Sequence, residues 1–295
     1  MKGIPPVEID SLKRHLSAVA CLRDPFQNPE ALAKVAHYIQ NQFEASGYRV
    51  EADVFELEGQ KFENLIARPA SFPSSSSPQF MVAAHFDAVP GTPGADDNAS
   101  GVAAMLEAAR LVAESNPDSP VHFAAFNLEE YGMIGSSRYV ESLKKELFLR
   151  KSSGKTKDSF NGMISLEMVG FTAHEKGSQI LPLILKPFYP DTGNFLALVG
   201  DLRSAALMQK AKGAFTNGIL PVETLTVPLK GWEFPAVRLS DHSPFWDAGL
   251  PALLVTDTSF FRNPHYHTPE DRIETLNLDF LKSVTEGVVR LAALS

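Results

Sequence analysis

Cysteine is nearly absent from this chain of 295 residues: Cys21 stands alone. One thiol cannot form an intramolecular disulfide or build a Cys-rich metal centre. Cys21 itself reads as a small buried hydrophobe rather than a nucleophile. Positive charge is short as well. Lys and Arg number 27 against 35 Asp and Glu, a net charge of −8, which argues against nucleic acid or an anionic membrane as the main partner. No apolar run approaches the roughly 20 residues that cross a bilayer. The opening stretch "MKGIPPVEIDSLKRHL" lacks the apolar centre of a signal peptide and carries acids early. The expectation is a soluble protein of a reducing cytoplasm; a secreted form would require a leader already removed.

What is present suits one large α/β core. "PEALAKVAHYIQNQFEAS" places Leu32, Val35, Ala36, Ile39 and Phe43 at helical spacing, and Gly47 stops the helix. "YRVEADVFEL" and "FENLIARP" read as strands, and "QFMVAAHFD", "VHFAAFNLEE" and "GMISLEMVGF" as strands buried on both faces. Between them lie an Ala-rich helix opening near Ser100 and a helix over "GSSRYVESLKKEL". "NFLALVGD", "LRSAALMQKAKGAF", "PALLVTDT" and "NLDFLKSVTEGVVRLAAL" continue as strand, helix, strand and helix. "PSSSSP" and "KSSGKTKDSFNG" read as polar surface connections. Alternating strands and helices predict a mixed, mainly parallel central sheet in a three-layer α/β/α sandwich. With no composition break, residues 1–295 are expected to form one domain.

Ligands of open α/β sheets sit at the carboxyl ends of the strands, and there this sequence concentrates its polar groups. "MVAAHFDAV" ends with His85 and Asp87, "AAFNLEE" with Glu129 and Glu130, and "ISLEM" with Glu167. "GADDNASG" supplies Asp96 and Asp97 before the Ala-rich helix, and "NPHYHTPED" offers His265 and His267. Each has an ordinary structural explanation alone: a core histidine, a helix cap, a dipole partner. Their joint placement does not. Histidine and carboxylate without cysteine suit zinc or a related divalent ion in a catalytic role. Two ions about 3.5–4 Å apart can share one carboxylate and activate a water. One member of the Glu129–Glu130 pair can then bind metal while its neighbour acts as base.

The motifs "AHFDAVPGTPGADDNASG", "FNLEEYGMIGS", "ISLEMVGF", "SDHSPFWDAGLPALL" and "NPHYHTPEDRIETL" occur in that order. They resemble the M28 family of zinc-dependent aminopeptidases, from about residue 30 to the C-terminus. The resemblance implies a peptide substrate and two zinc ions. His85 and Glu167 would bind one ion and Glu130 and His267 the other, with Asp97 bridging. Glu129 would be the general base, and Asp87 would orient His85 through its other ring nitrogen. A cis peptide between Asp97 and Asn98 is also implied.

Two departures stand out. Glu167 replaces the aspartate usual at that position of the family, so its longer side chain must retract. No tyrosine precedes "SDH", where some members hold the oxyanion; Arg238 is the candidate substitute, with a structural ion pair as the competing reading. Ser240, Asp241 and His242 copy a triad in residue type, but three consecutive residues cannot adopt its geometry. The segment reads as a wall of the site, with Asp241 as a supporting group. The aromatics Phe171, Phe245, Trp246, Phe260, Phe261 and Tyr266 flank these motifs and divide between core and substrate pocket. The expected reaction is release of an N-terminal residue from a peptide. The alternatives are a carboxypeptidase or dipeptidase, a glutaminyl-cyclase-like acyltransferase, and a metal-free scaffold.

Overall fold

A computed structural model describes residues 5–71, 79–152, 160–216 and 220–294. The "PSSSSP" connection and residues 153–159 of the "KSSGKTKDSFNG" connection lie outside those residues. Eight strands form one mixed sheet: β1 (Tyr48–Leu57), β2 (Gln60–Pro69), β3 (Phe80–His85), β4 (Val121–Phe126), β5 (Gly162–Glu167), β6 (Leu196–Asp201), β7 (Val222–Val227) and β8 (Ala252–Thr256). Their spatial order is β1-β2-β4-β3-β5-β8-β6-β7. The pairs β3–β4, β3–β5, β5–β8 and β6–β7 are parallel. The pairs β1–β2, β2–β4 and β6–β8 are antiparallel.

Strands β3, β4, β5, β6 and β8 are buried at every position, which is why their sequences do not alternate. One face is covered by α1 (Ile9–Val19), α2 (Pro29–Ala45), α3 (Gly101–Ser115), α5 (Ala205–Thr216) and α7 (Leu278–Ala293). Its core includes Leu12, Leu16 and Val19 of α1 and Ile39 and Phe43 of α2, against Val82, Phe123 and Ile164 of the sheet. Ala103, Ala104, Ala108 and Ala109 are fully buried; these small side chains let α3 lie close to the central strands. The other face carries α4 (Ile134–Ser152) and α6 (His242–Asp247), packed through Tyr139, Leu143, Phe245 and Trp246.

Two elements lie beyond the sequence expectation. Helix α1 precedes the first expected helix, and strand β7 lies at the far edge of the sheet. The "SDH" wall turns into α6 at His242. Over β6, β7 and the carboxyl end of β8 the second face is covered by segments 172–194 and 229–241, the latter with two short 3-10 turns, and a cavity opens between them and the sheet. The carboxyl ends of β3, β4 and β5 meet beside that cavity.

Candidate metal centre and active site

His85 is the last residue of β3, and Glu167 the last of β5. Glu129 and Glu130 follow β4 directly. Asp97 lies in the irregular turn Ala95–Ser100, where the Asp97–Asn98 peptide is cis. His267 comes from the loop after β8 and holds a left-handed backbone, φ 58°, a conformation rare for residues with a side chain.

Asp97 stands at the centre. Its Oδ1 is 3.2 Å from His85 Nε2, and its Oδ2 is 3.1 Å from His267 Nε2. His85 Nε2 is also 3.4 Å from Glu167 Oε2. His267 Nε2 is 3.2 Å from Glu130 Oε2. The carboxylate thus faces two donor groups, His85 with Glu167 on one oxygen and His267 with Glu130 on the other. His85, Asp97 and Glu130 each offer a ligand atom within 4.8 Å of the others. Glu129 Oε2 lies 4.0 Å from His85 Nε2, beside the donors and facing the cavity.

The shell around these side chains is built from buried polar contacts. Asp87 accepts from the backbone N–H of both Glu129 and Glu130, each at 3.2 Å. Its Oδ1 is also 3.4 Å from His85 Nδ1. One carboxylate therefore fixes the acidic pair and faces the rear of the imidazole. Asp271 accepts from the N–H groups of Asp96 and Asp97 at 2.8 and 3.1 Å. Asn98 donates to Leu166 O at 2.7 Å and accepts from Gly101 and Met168 N–H at 3.1 Å, tying the turn to the end of β5. Arg23 is fully buried and donates to the carbonyls of Cys21, Phe86, Pro93, Gly94 and Asp97. Gly94 is required there: at φ 57° its Cβ would meet Asp97 O at 2.2 Å. Ser240 donates to Glu167 Oε2 at 2.8 Å, holding the longer side chain.

So many acids in one dry place disturb one another's titration. Burial pushes Glu129 well above the usual carboxylate range, His85 pulls the other way, and Glu167, Asp241 and Glu130 add to the rise. Burial and the Asp97 charge push Glu130 up to about 7. Burial opposes charge on both histidines. Glu167 and Glu129 nevertheless hold His85 well above its ordinary value, and hydrogen bonds to Asp97 and Glu130 carry His267 to about 10. Both histidines, and the buried Arg23 guanidinium behind the turn, counter the crowded carboxylates. Divalent cations fit the site better. The donors are histidine nitrogen and carboxylate oxygen, the set suited to zinc. His85 Nε2 and Glu130 Oε1 are buried without any hydrogen bond, as groups awaiting a Lewis acid are.

The structure brings together His85, Asp97, Glu129, Glu130, Glu167 and His267, with Asp87 behind them. Asp241 is fully buried and within electrostatic reach of His85 and Glu167; burial pushes it up to about 7, with His85 opposing the rise and Glu167 adding to it. Arg238 is elsewhere. Its guanidinium donates to Lys230 O at 2.7 Å and Asp247 Oδ2 at 2.8 Å and stacks over Trp232. The ion pair with Asp247 is present, and Arg238 is not among the residues that line the cavity beside the metal centre. His242 contacts Val237 O at 2.8 Å through Nε2, away from Ser240, so no triad forms. His265 lies edge-on to Phe171. Phe245 and Trp246 are core; Phe260, Phe261 and Tyr266 line the cavity.

Two positions at the site have no individual role in the sequence reading: Tyr266 is only one of six aromatics that divide between core and pocket, and Arg23 is absent from it. Tyr266 stacks on His267 with ring centroids 3.7 Å apart. Burial and four carboxylates (Asp97, Glu130, Glu167 and Glu129) raise its phenol, which stays a neutral donor. Its adjacency to His267 was the available signal. Arg23 gave none, because its partners are backbone carbonyls far along the chain.

Comparison with known proteins adds the lineage. The profile of peptidase family M28 matches residues 64–292. An uncharacterised Escherichia coli K12 protein, YfbL, is 32% identical over 97% of this chain and 87% of its own length. The structure of BSAP, described as a zinc aminopeptidase from Bacillus subtilis, is 28% identical with a TM-score of 0.55; it aligns with 80% of this chain, which spans half of it. The LapA aminopeptidase of Legionella pneumophila shares the fold at TM-score 0.72 and 19% identity, over 97% of this chain and 71% of its own.

Proposed function

The chain belongs to peptidase family M28, and from that premise we propose that it is a dinuclear zinc aminopeptidase, organised as one catalytic domain. The observation that carries the reading is the two-sided Asp97 carboxylate, with His85 and Glu167 at one oxygen and His267 and Glu130 at the other. His85, Glu167 and Asp97 would hold one ion; Asp97, Glu130 and His267 would hold the second. When bound, such ions polarise a carbonyl and acidify a water.

The chain's own groups do the rest. Glu129 faces the cavity without a place among the ligand pairs. It takes the proton of the attacking water and delivers it to the departing amine nitrogen. Tyr266, neutral and beside His267, donates to the oxyanion that forms on the scissile carbonyl. Asp87 holds the backbone of Glu129 and Glu130 in register with His85. Arg238 is paired with Asp247 and does not line the cavity, which favours an aminopeptidase over a carboxypeptidase. The acids around the cleft favour a free amine at the substrate terminus. The test is cleavage of a free-amine peptide and its N-acetylated twin by zinc-loaded protein. Cleavage of the free-amine peptide alone supports the reading. Equal cleavage of both, or of the acetylated one only, overturns it.

A further inference from the structure

The cavity beside the metal centre has a volume of about 280 Å³ and an apolar lining. Its floor is set by strand register. Glu167 on β5 pairs with Thr256 on β8. Thr256 pairs with Ala197 on β6, and Ala197 with Glu223 on β7. Laterally paired residues point to the same face of a sheet. One row therefore runs from the metal ligand Glu167, over the small side chains of Thr256 and Ala197, to a second carboxylate at Glu223. Three strand spacings separate the ends, about 14 Å. Tyr189 and Phe234, from the two covering segments, form the walls above this row; Phe195 lies beside it just before β6, its ring already stacked by Arg262.

The charge along the cavity is one-sided. Asp97, Glu129, Glu130, Glu167, Glu223 and Glu233 line it, and no Lys or Arg among the described residues does. The first four serve the metal centre and the base. Glu233 is exposed at the mouth, and Glu223 is half-buried at the end of the floor. No described cation pairs with either. A carboxylate at the far end of an apolar trough, without a partner from its own chain, complements a ligand that supplies the cation.

We propose that Glu223 is a specificity-determining residue and that the cavity selects peptides whose N-terminal residue is arginine or lysine. The inference rests on the aminopeptidase reading. The substrate backbone sits over the metal edge, the methylene stem lies on Thr256 and Ala197 between the aromatic walls, and the charged head meets Glu223. A long amphipathic side chain suits such a trough, apolar along its length and ionic at its tip. The aromatic walls add cation–π attraction to the head group.

The experiment compares kcat/KM of the zinc-loaded protein for matched dipeptide amides beginning with Arg, Lys, citrulline, Leu and Phe, in wild type and Glu223→Gln. Citrulline has nearly the shape of arginine without its charge, so wild type alone already tests the idea. Arginine is expected to exceed citrulline roughly 10- to 100-fold, the worth of one charge-assisted contact. Glu223→Gln is expected to lower the Arg-to-Leu ratio by a similar factor. Arginine and citrulline cleaved alike, or an Arg-to-Leu ratio unchanged by the substitution, overturns the assignment while leaving the aminopeptidase reading intact. No cleavage of any free-amine substrate overturns both.

Discussion

Glu129 and Glu130 are neighbours in sequence and opposites in surroundings. Glu130 lies 3.2 Å from His267, while Glu129 points to the cavity beside His85. Glu129→Gln is therefore expected to retain zinc and to lower kcat by about 10²- to 10⁴-fold, the usual share of a positioned base. Zinc loss, or undiminished turnover, would remove Glu129 from that role. Asp87 touches no substrate, yet it accepts both backbone N–H groups of the pair and faces His85. Asp87→Ala is expected to weaken zinc binding about 10- to 100-fold, read by competition with a chromophoric chelator; an unchanged affinity would contradict it. His85 and Glu167 were legible in sequence because each ends a short apolar strand, and Asp97 because it sits in the acidic turn before an Ala-rich helix. Tyr266 was not, since one aromatic among several near a motif looks like core until its neighbours are known.

At the scale of elements, the turn Ala95–Ser100 depends on partners from β5, the 93–94 loop and the segment before α2. Arg23 ties its carbonyls together. Arg23→Met takes a charged donor from five carbonyls, although Gly94 O keeps the Ala99 N–H, and is expected to cost roughly 3 kcal/mol or more. The measurement is a urea midpoint; a midpoint within error of wild type would contradict this. The same turn was legible as "DDNASG" but not Arg23, because a hydrogen bond to a carbonyl 70 residues away leaves no local pattern. Strand β7 escaped for a related reason. "VETLTV" is only partly buried along most of its length, so it has the composition of an edge and not the apolar run of its neighbours. Histidines in other elements carry a pH signature. Burial lowers His15 on α1 to about 4, and His122 on β4 and His242 on α6 to about 3. Their unfolded forms bind protons at higher pH than their folded forms. Stability from these sites is therefore complete above about pH 6.5 and is lost as pH falls toward 3 to 4. His122→Leu is expected to flatten the fall of stability between pH 6.5 and 4 relative to wild type in the same chelated buffer. An identical slope would show that His122 does not titrate as its burial requires.

Across the whole molecule, the metal centre joins segments far apart in the chain. β3, the Ala95–Ser100 turn, the end of β4, β5 and the loop after β8 each bring a histidine or carboxylate to it, which the proposed function assigns as ligand or base. Ions that bind only the folded arrangement stabilise it by mass action, about 2.7 kcal/mol at a hundredfold excess over Kd. Chelation is thus expected to lower the melting temperature, and zinc to restore it; a melting temperature indifferent to zinc would contradict a site built for metal. No described helix is long and apolar enough to cross a membrane. The layering of this fold was legible from periodicity, because buried parallel strands and amphipathic helices write different patterns. The cavity over β6, β7 and the carboxyl end of β8 was not, because irregular segments cover that part of the face and leave no periodic pattern. The central claim is that Asp97 bridges two ions, and the zinc content of the purified, zinc-equilibrated protein tests it most directly. Elemental analysis should give two zinc ions per chain in wild type, with a marked loss in Asp97→Ala. One ion or none in wild type would contradict the account.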